Sequence, residues 1–143
     1  MAYCTLQQLQ DRFGVDLLIR LTDRAAVPMD AIDPVVVARA QDDADAVINE
    51  HIALRYGLPV AGAPASLADM SMKITIYNLH ITEPEAKIVK DYEETLKRLR
   101  AVATGSIILT DVAGLEPAAK DGTGVVMTDR ERPFTPENMT GFI

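Results

Sequence analysis

The sequence predicts an all-α protein: a small bundle of about four to five helices with an extended C-terminal arm. Three observations carry that prediction. Apolar residues make up 48 % of the 143-residue chain but aromatics only 5 %, with no Trp; a Leu, Ile, Val and Ala core suits packed helices, whereas sheets favour aromatic and β-branched residues. Several segments place apolar residues three and four apart behind recognisable helix starts. After Gly105 that periodicity disappears, and residues 110–133 are rich in Gly, Asp, Thr, Ala and Pro. The chain is long enough for one core, so it divides into a helical domain at 1–109 and an arm at 110–143.

Taken in order, Thr5 is placed to cap a short helix with Leu6, Leu9 and Phe13 on one face, and Gly14 breaks it. Asp16 opens a second short apolar turn, Leu17 to Leu21, ending at Thr22-Asp23. A DNA-reading helix-turn-helix is the tempting alternative for this pair. No cluster of Arg, Lys, Asn or Gln follows on an exposed second helix, and the net charge of −7 has the wrong sign for gripping phosphates. From Asp33 to Tyr56 the pattern is helical over about 23 residues, ~35 Å at 1.5 Å per residue. Asp33 suits the N-cap and Pro34 the first turn, where its missing N–H is not needed. Val36, Ala40, Ala44, Val47, Ile48 and Ile52 form the apolar stripe, with Gln41, Asp42, Asp45, Asn49 and Glu50 opposite or beside it. Gly57 is expected to end this helix in the left-handed conformation, and Pro59 to keep it from resuming.

A second long helix is expected to start at a Ser66 cap and run to Ile81 through Leu67, Met70, Ile74 and Tyr77; with few charges, it should be the most buried. Thr82-Glu83-Pro84-Glu85 has the capping-box pattern for a third. That helix carries Ile88, Tyr92, Leu96, Leu99 and Val102 on one side and mixed charges elsewhere, including Glu93–Lys97 and Glu94–Arg98 in the favourable i,i+4 order. Gly105 stops it. Ile107-Ile108-Leu109 then either docks on the bundle or pairs as a strand.

Catalytic chemistry finds little support. His51 and His80 lie late on separate helices, and the sole cysteine, Cys4, has no paired spacing, so no zinc-ligand pattern exists. The carboxylates fall on faces that read as solvated, where acid–base work is not favoured. Gly122-Thr123-Gly124 lacks the lysine and helix of a phosphate loop, and no nucleophile elbow is present. The reading is a non-enzyme with no cofactor and no metal. One cysteine allows no internal disulfide, the N-terminus lacks a basic region followed by an apolar run, and no stretch approaches the ~20 apolar residues of a membrane span. A product made in a reducing cytoplasm is expected.

The terminal segment is the one place where apolar residues sit at an otherwise polar end. Phe134, Met139, Phe142 and Ile143 follow a linker, flanked by Arg130 and Arg132. Two of the chain's three phenylalanines are there, so the segment reads as one that buries against something. The arm's length lets that something be another subunit; the alternative is that the tail folds back on its own bundle.

With these residues laid out, the chain resembles the Mu-like phage head–tail connector family. The likeness rests on Tyr3-x-Thr5, Leu9-x-x-Arg12-Phe13-Gly14, Leu18-x-x-Leu21-Thr22-Asp23, Ile32-Asp33, Ala44-Asp45, Ile48, Arg55-Tyr56-x-Leu58-Pro59 and Pro64-x-x-Leu67. It continues with Tyr92, Leu96, Leu99, Ala103-x-Gly105, Leu109 and Arg132-x-Phe134. It covers residues 3–109 well and the tail more loosely, and the Arg-Tyr-x-Leu-Pro elbow is its most specific part. The resemblance implies a helical adaptor forming a ring, usually twelvefold, between the portal protein and the stopper or tail-completion protein in the virion neck. DNA would pass through it without sequence-specific binding. It also implies a C-terminal arm that reaches portal or a neighbouring subunit, and the character of the terminus makes Arg130, Arg132, Phe134, Met139, Phe142 and Ile143 the candidate contacts. Twelve copies at −7 would carry about −84, and an acidic lumen would let a genome slide past. Asp42, Asp45 and Glu50 are the first candidates for such a lining. Two other readings remain: a tail terminator, which would be mixed α/β, and a small helical regulatory or metal-dependent protein.

Overall fold

The computed structural model describes residues 2–53, 55–60 and 64–110, and contains five helices: α1 (Leu6–Phe13), α2 (Val15–Thr22), α3 (Pro34–Ile52), α4 (Ala65–Leu79) and α5 (Ala86–Thr104). No strand occurs among the described residues, so the all-α expectation holds. α3 and α4 make the most extensive packing, α5 lies across both, and the short α1–α2 pair closes one side through α4.

Local chemistry explains most of the boundaries. Thr5 Oγ accepts from the Gln8 backbone N–H while the Gln8 side chain accepts from the Thr5 N–H, a reciprocal cap that satisfies two otherwise unpaired donors. Gly14, at φ +86°, is the hinge shared by α1 and α2. Asp33 Oδ1 accepts from Val35 N at 2.8 Å and Val36 N at 3.4 Å, with Pro34 as the first helical residue, as the sequence indicates.

Four boundaries differ from expectation. α3 stops at Ile52, not Tyr56, and its cap is Ala53 in ordinary right-handed geometry instead of Gly57; Arg55 and Tyr56 fold back as a tight turn on the Ile52 carbonyl. α4 begins one residue early, with Pro64 as the cap position and no side-chain cap. It ends at Leu79, leaving Ile81 73 % exposed and off the apolar stripe. α5 begins after Glu85, so Thr82 caps nothing: Pro84 disfavours helical geometry for the residue before it and pushes the start downstream. Gly105 does end α5, in the left-handed region at φ +80°.

The core has two lobes. One joins Ala44, Ile48 and Ile52 of α3 to Leu67, Met70 and Ile74 of α4 and Leu99 and Val102 of α5. The other joins Leu9 and Leu18 to Val37, Ala40, Ile76 and Leu79. Ala40 and Ala44 leave room for α4 to approach, and α4 is the most buried helix, with eight of fifteen residues inside. α5 is half solvated; its ion pair is Lys90–Glu94 at 3.9 Å, while the expected Glu93–Lys97 and Glu94–Arg98 pairs are not among the ion pairs of the described residues. Tyr77 of α4 and Tyr92 of α5 stack with ring centroids 3.9 Å apart.

Candidate functional site: the root of the arm

The Arg-Tyr-x-Leu-Pro elbow is joined to the segment that follows α5. Tyr56 is 4 % exposed, and its hydroxyl accepts from the backbone N–H of Leu109 at 2.9 Å, a buried bond across 53 residues. Leu109 itself is buried in the same lobe as Tyr56. Beside them the Arg55 guanidinium lies against the Gly105 α-carbon, close enough that a side chain at 105 would collide with it. Gly105 thus does two jobs: it supplies the left-handed φ that ends α5, and it leaves space for Arg55. The Ser106 and Ile107 backbone N–H groups both return to the Ala101 carbonyl, closing the last turn. Ile107-Ile108-Leu109 therefore docks on the bundle and does not pair as a strand, with Ile108 and Leu58 left partly open beside it. Tyr56→Phe should leave the Leu109 N–H buried without a partner. The expected loss is about 1–2 kcal/mol, read by denaturant unfolding as a lower midpoint with an unchanged slope.

A second constellation lies where the N-terminal segment enters the cleft between α3 and α4. Asp45 Oδ2 accepts from the Tyr3 backbone N–H at 3.0 Å, and Oδ1 accepts from the Ser71 hydroxyl at 3.0 Å. Cys4 Sγ lies 3.3 Å from that hydroxyl, and Gln41 Nε2 donates to the Cys4 carbonyl at 3.0 Å. The Tyr3 hydroxyl bonds Asn49 Oδ1. Burial raises the Asp45 pKa, against the Ser71 and Tyr3 hydrogen bonds, which lower it; burial, with the Asp45 charge, likewise raises that of the Tyr3 phenol. Asp45 is 7 % exposed, so it is no surface acid and does not belong with Asp42 and Glu50, which are exposed. Its place on the Gln41–Asp45–Ile48–Ile52 spacing is the signal for burial; a carboxylate on that face needs partners, and these come from 42 and 26 residues away.

α1 is tied to α4 by Arg12, which pairs with Asp69, itself 2.8 Å from Lys73. Partial burial pushes Asp69 up, but the Lys73 and Arg12 contacts outweigh it, and the carboxyl sits below its ordinary range. Thr22 Oγ accepts from Asp33 N, and Asp23 Oδ2 accepts from Met29 N and Asp30 N, which together shape the α2–α3 loop. Each histidine ring bonds its own helix: His51 Nδ1 lies 2.8 Å from the Val47 carbonyl and His80 Nδ1 2.7 Å from that of Ile76. No group of three metal-ligating side chains occurs among the described residues, and none of their helices is long and apolar enough to cross a membrane. The six tail residues Arg130, Arg132, Phe134, Met139, Phe142 and Ile143 lie outside the described residues.

These contacts define an all-α scaffold that fastens the N-terminal segment and residues 105–109 to one bundle, and sequence comparison places that scaffold among bacteriophage proteins. The chain belongs to the family described as Bacteriophage Mu, Gp36, whose model matches residues 3–128. Gene product J of Escherichia phage Mu is 28 % identical over the full length of both chains. Mu-like prophage FluMu protein gp36 of Haemophilus influenzae is 33 % identical over 79 residues, 55 % of this chain and 56 % of that one.

Proposed function

We propose that this phage protein is a non-catalytic head–tail connector, a ring-forming adaptor of the virion neck between portal and the stopper or tail that lets DNA pass. The observation that carries the reading is how the residues behind the family resemblance are used. Tyr3, Arg12, Thr22, Asp23, Asp33, Asp45, Arg55, Tyr56, Gly105 and Leu109 each make a contact that sets architecture. The most specific of them, Arg55 and Tyr56, hold Gly105 and Leu109, just ahead of the segment read as the arm. A bundle that spends its distinctive residues on architecture suits an assembly protein. The absence of strands among the described residues speaks against the tail-terminator alternative. Asp42 and Glu50, exposed on α3, remain the acidic candidates for a DNA-facing lumen, and the net charge of −7 per copy suits a channel that does not hold its cargo.

Deleting residues 130–143 in the phage should give filled heads without attached tails, scored by electron microscopy and plaque titre. Normal infectious particles after that deletion would overturn the proposal.

A further inference from the structure

One end of the bundle is unusually apolar. The four large apolar side chains most open to solvent among the described residues are Val27 and Met29 (75 % each), Ile81 (73 %) and Val35 (66 %). Val27 and Met29 lie on the α2–α3 loop, Val35 on the first turn of α3, and Ile81 two residues beyond α4. Arg24 ties these pieces together by donating to the Leu79 carbonyl at 3.1 Å. Between them runs a groove lined by Val35, Val36, Ala40 and Leu79 together with the polar Arg24, Arg39, Asp43 and Asn78. Across Arg24 it continues into a second hollow under Met29. A small domain does not ordinarily leave four such side chains at one end bare unless something covers them.

We propose that this groove receives the chain's own terminal segment, residues 130–143. The inference rests on the reading of that segment as a docking element and supplies its receptor. Two observations favour that occupant. Phe134, Met139, Phe142 and Ile143 offer apolar groups to the exposed Val27, Met29, Val35 and Ile81. The arm root lies at the other end of α3, about 28 Å away for nineteen residues, while the 25 residues from Thr110 to Phe134 span up to about 80 Å extended. The segment therefore reaches the groove of its own chain or of an adjacent copy.

The test uses the full chain carrying Val35→Cys with Phe142→Cys, treated with a short bismaleimide; the native Cys4 is 1 % exposed and protected. Lys97→Cys with Phe142→Cys is the reference, since Lys97 is exposed on α5, whose end carries the arm root. A tail that merely wanders would find position 97 at least as often. Cross-linking at 35 should exceed that at 97 at least fivefold; equal or lower yield at 35 overturns the proposal. Mixing singly substituted chains identifies the copy: a linked pair means the neighbour's groove, linkage only within one chain means its own. Either upholds the groove, but linkage only within one chain would remove the tail's reach to another subunit and so count against the connector reading. Loss of tails on deleting 130–143, with no preference for position 35, would leave the connector reading standing and sink the groove.

Discussion

Gly105→Ala should lower the unfolding free energy by about 2–3 kcal/mol, roughly a 10 °C fall in midpoint for a domain of this size. Two separate costs meet at this position. A β-carbon at φ +80° puts an L residue in the left-handed region, at about 1–2 kcal/mol. The same β-carbon would occupy space now filled by the Arg55 guanidinium, which has to leave. A double-mutant cycle separates them. In an Arg55→Ala background, Gly105→Ala should show only the backbone part, so the coupling between the two positions should be about 1 kcal/mol. Equal losses in both backgrounds would mean that Arg55 does not guard the arm root. The functional consequence follows from geometry: when Arg55 is displaced, the Tyr56–Leu109 bond next to it loses its frame. On the proposed connector role, tail attachment should therefore fall more than the loss of folded protein accounts for.

The contrast between what the residues announced and what they concealed is instructive. Helix existence was legible because each helix carries its own apolar spacing, and Thr5, Asp33, Gly14 and Gly105 act within a few residues of themselves. The elbow was legible as punctuation, but not as the reason for it. Nothing near Arg55 or Tyr56 shows that their partners are Gly105 and Leu109, about a third of the chain away. Ser66 and Thr82 misled for the opposite reason. Both have the right chemistry for a cap, but α4 starts directly after Pro64, and Pro84 keeps Glu83 out of helical geometry and moves the α5 start downstream.

The N-terminal segment and the stretch that follows α5 meet the same α3–α4–α5 core by different means. The N-terminal segment is held by a buried polar cluster around Asp45, and the arm root by packing plus one tyrosine bond. A polar cluster is satisfied in one geometry only, so it fixes register between α3 and α4 as well as tethering Tyr3. The arm root, by contrast, has partly open neighbours in Leu58, Ile107 and Ile108. The connector role proposed above would use that asymmetry: a rigid body, and open apolar side chains beside Leu109 that another chain can still cover.

Asp45→Ala should be the more damaging of two substitutions at that cluster, at about 2–3 kcal/mol, because it strands the Tyr3 N–H inside the protein and leaves the Ser71 hydroxyl only the weak Cys4 Sγ acceptor at 3.3 Å. Asp45→Asn should be close to neutral at pH 7. Its carbonyl oxygen can accept from Tyr3 while its amide donates to Ser71 Oγ, whose own hydrogen turns to Cys4 Sγ at 3.3 Å. The pH dependence gives the sharper check. Burial raises the folded-state pKa of Asp45, so the native protein keeps this proton to higher pH than the unfolded chain does. Its contribution is therefore most favourable in acid and declines as pH rises from the unfolded carboxylate value of about 4 through the raised folded value. Asp69 runs the other way. Held below its ordinary range by Lys73 and Arg12 against partial burial, it contributes fully above about pH 4 and is lost as pH falls through its lowered value. Unfolding midpoints between pH 3 and 7 should thus show Asp45→Asn gaining on the native protein as pH rises, and Asp69→Asn losing ground over the same range. Parallel curves for Asp45→Asn and the native chain would show that the buried carboxyl titrates as it would in water, and would remove the polar cluster from the account of how the N-terminal segment is held.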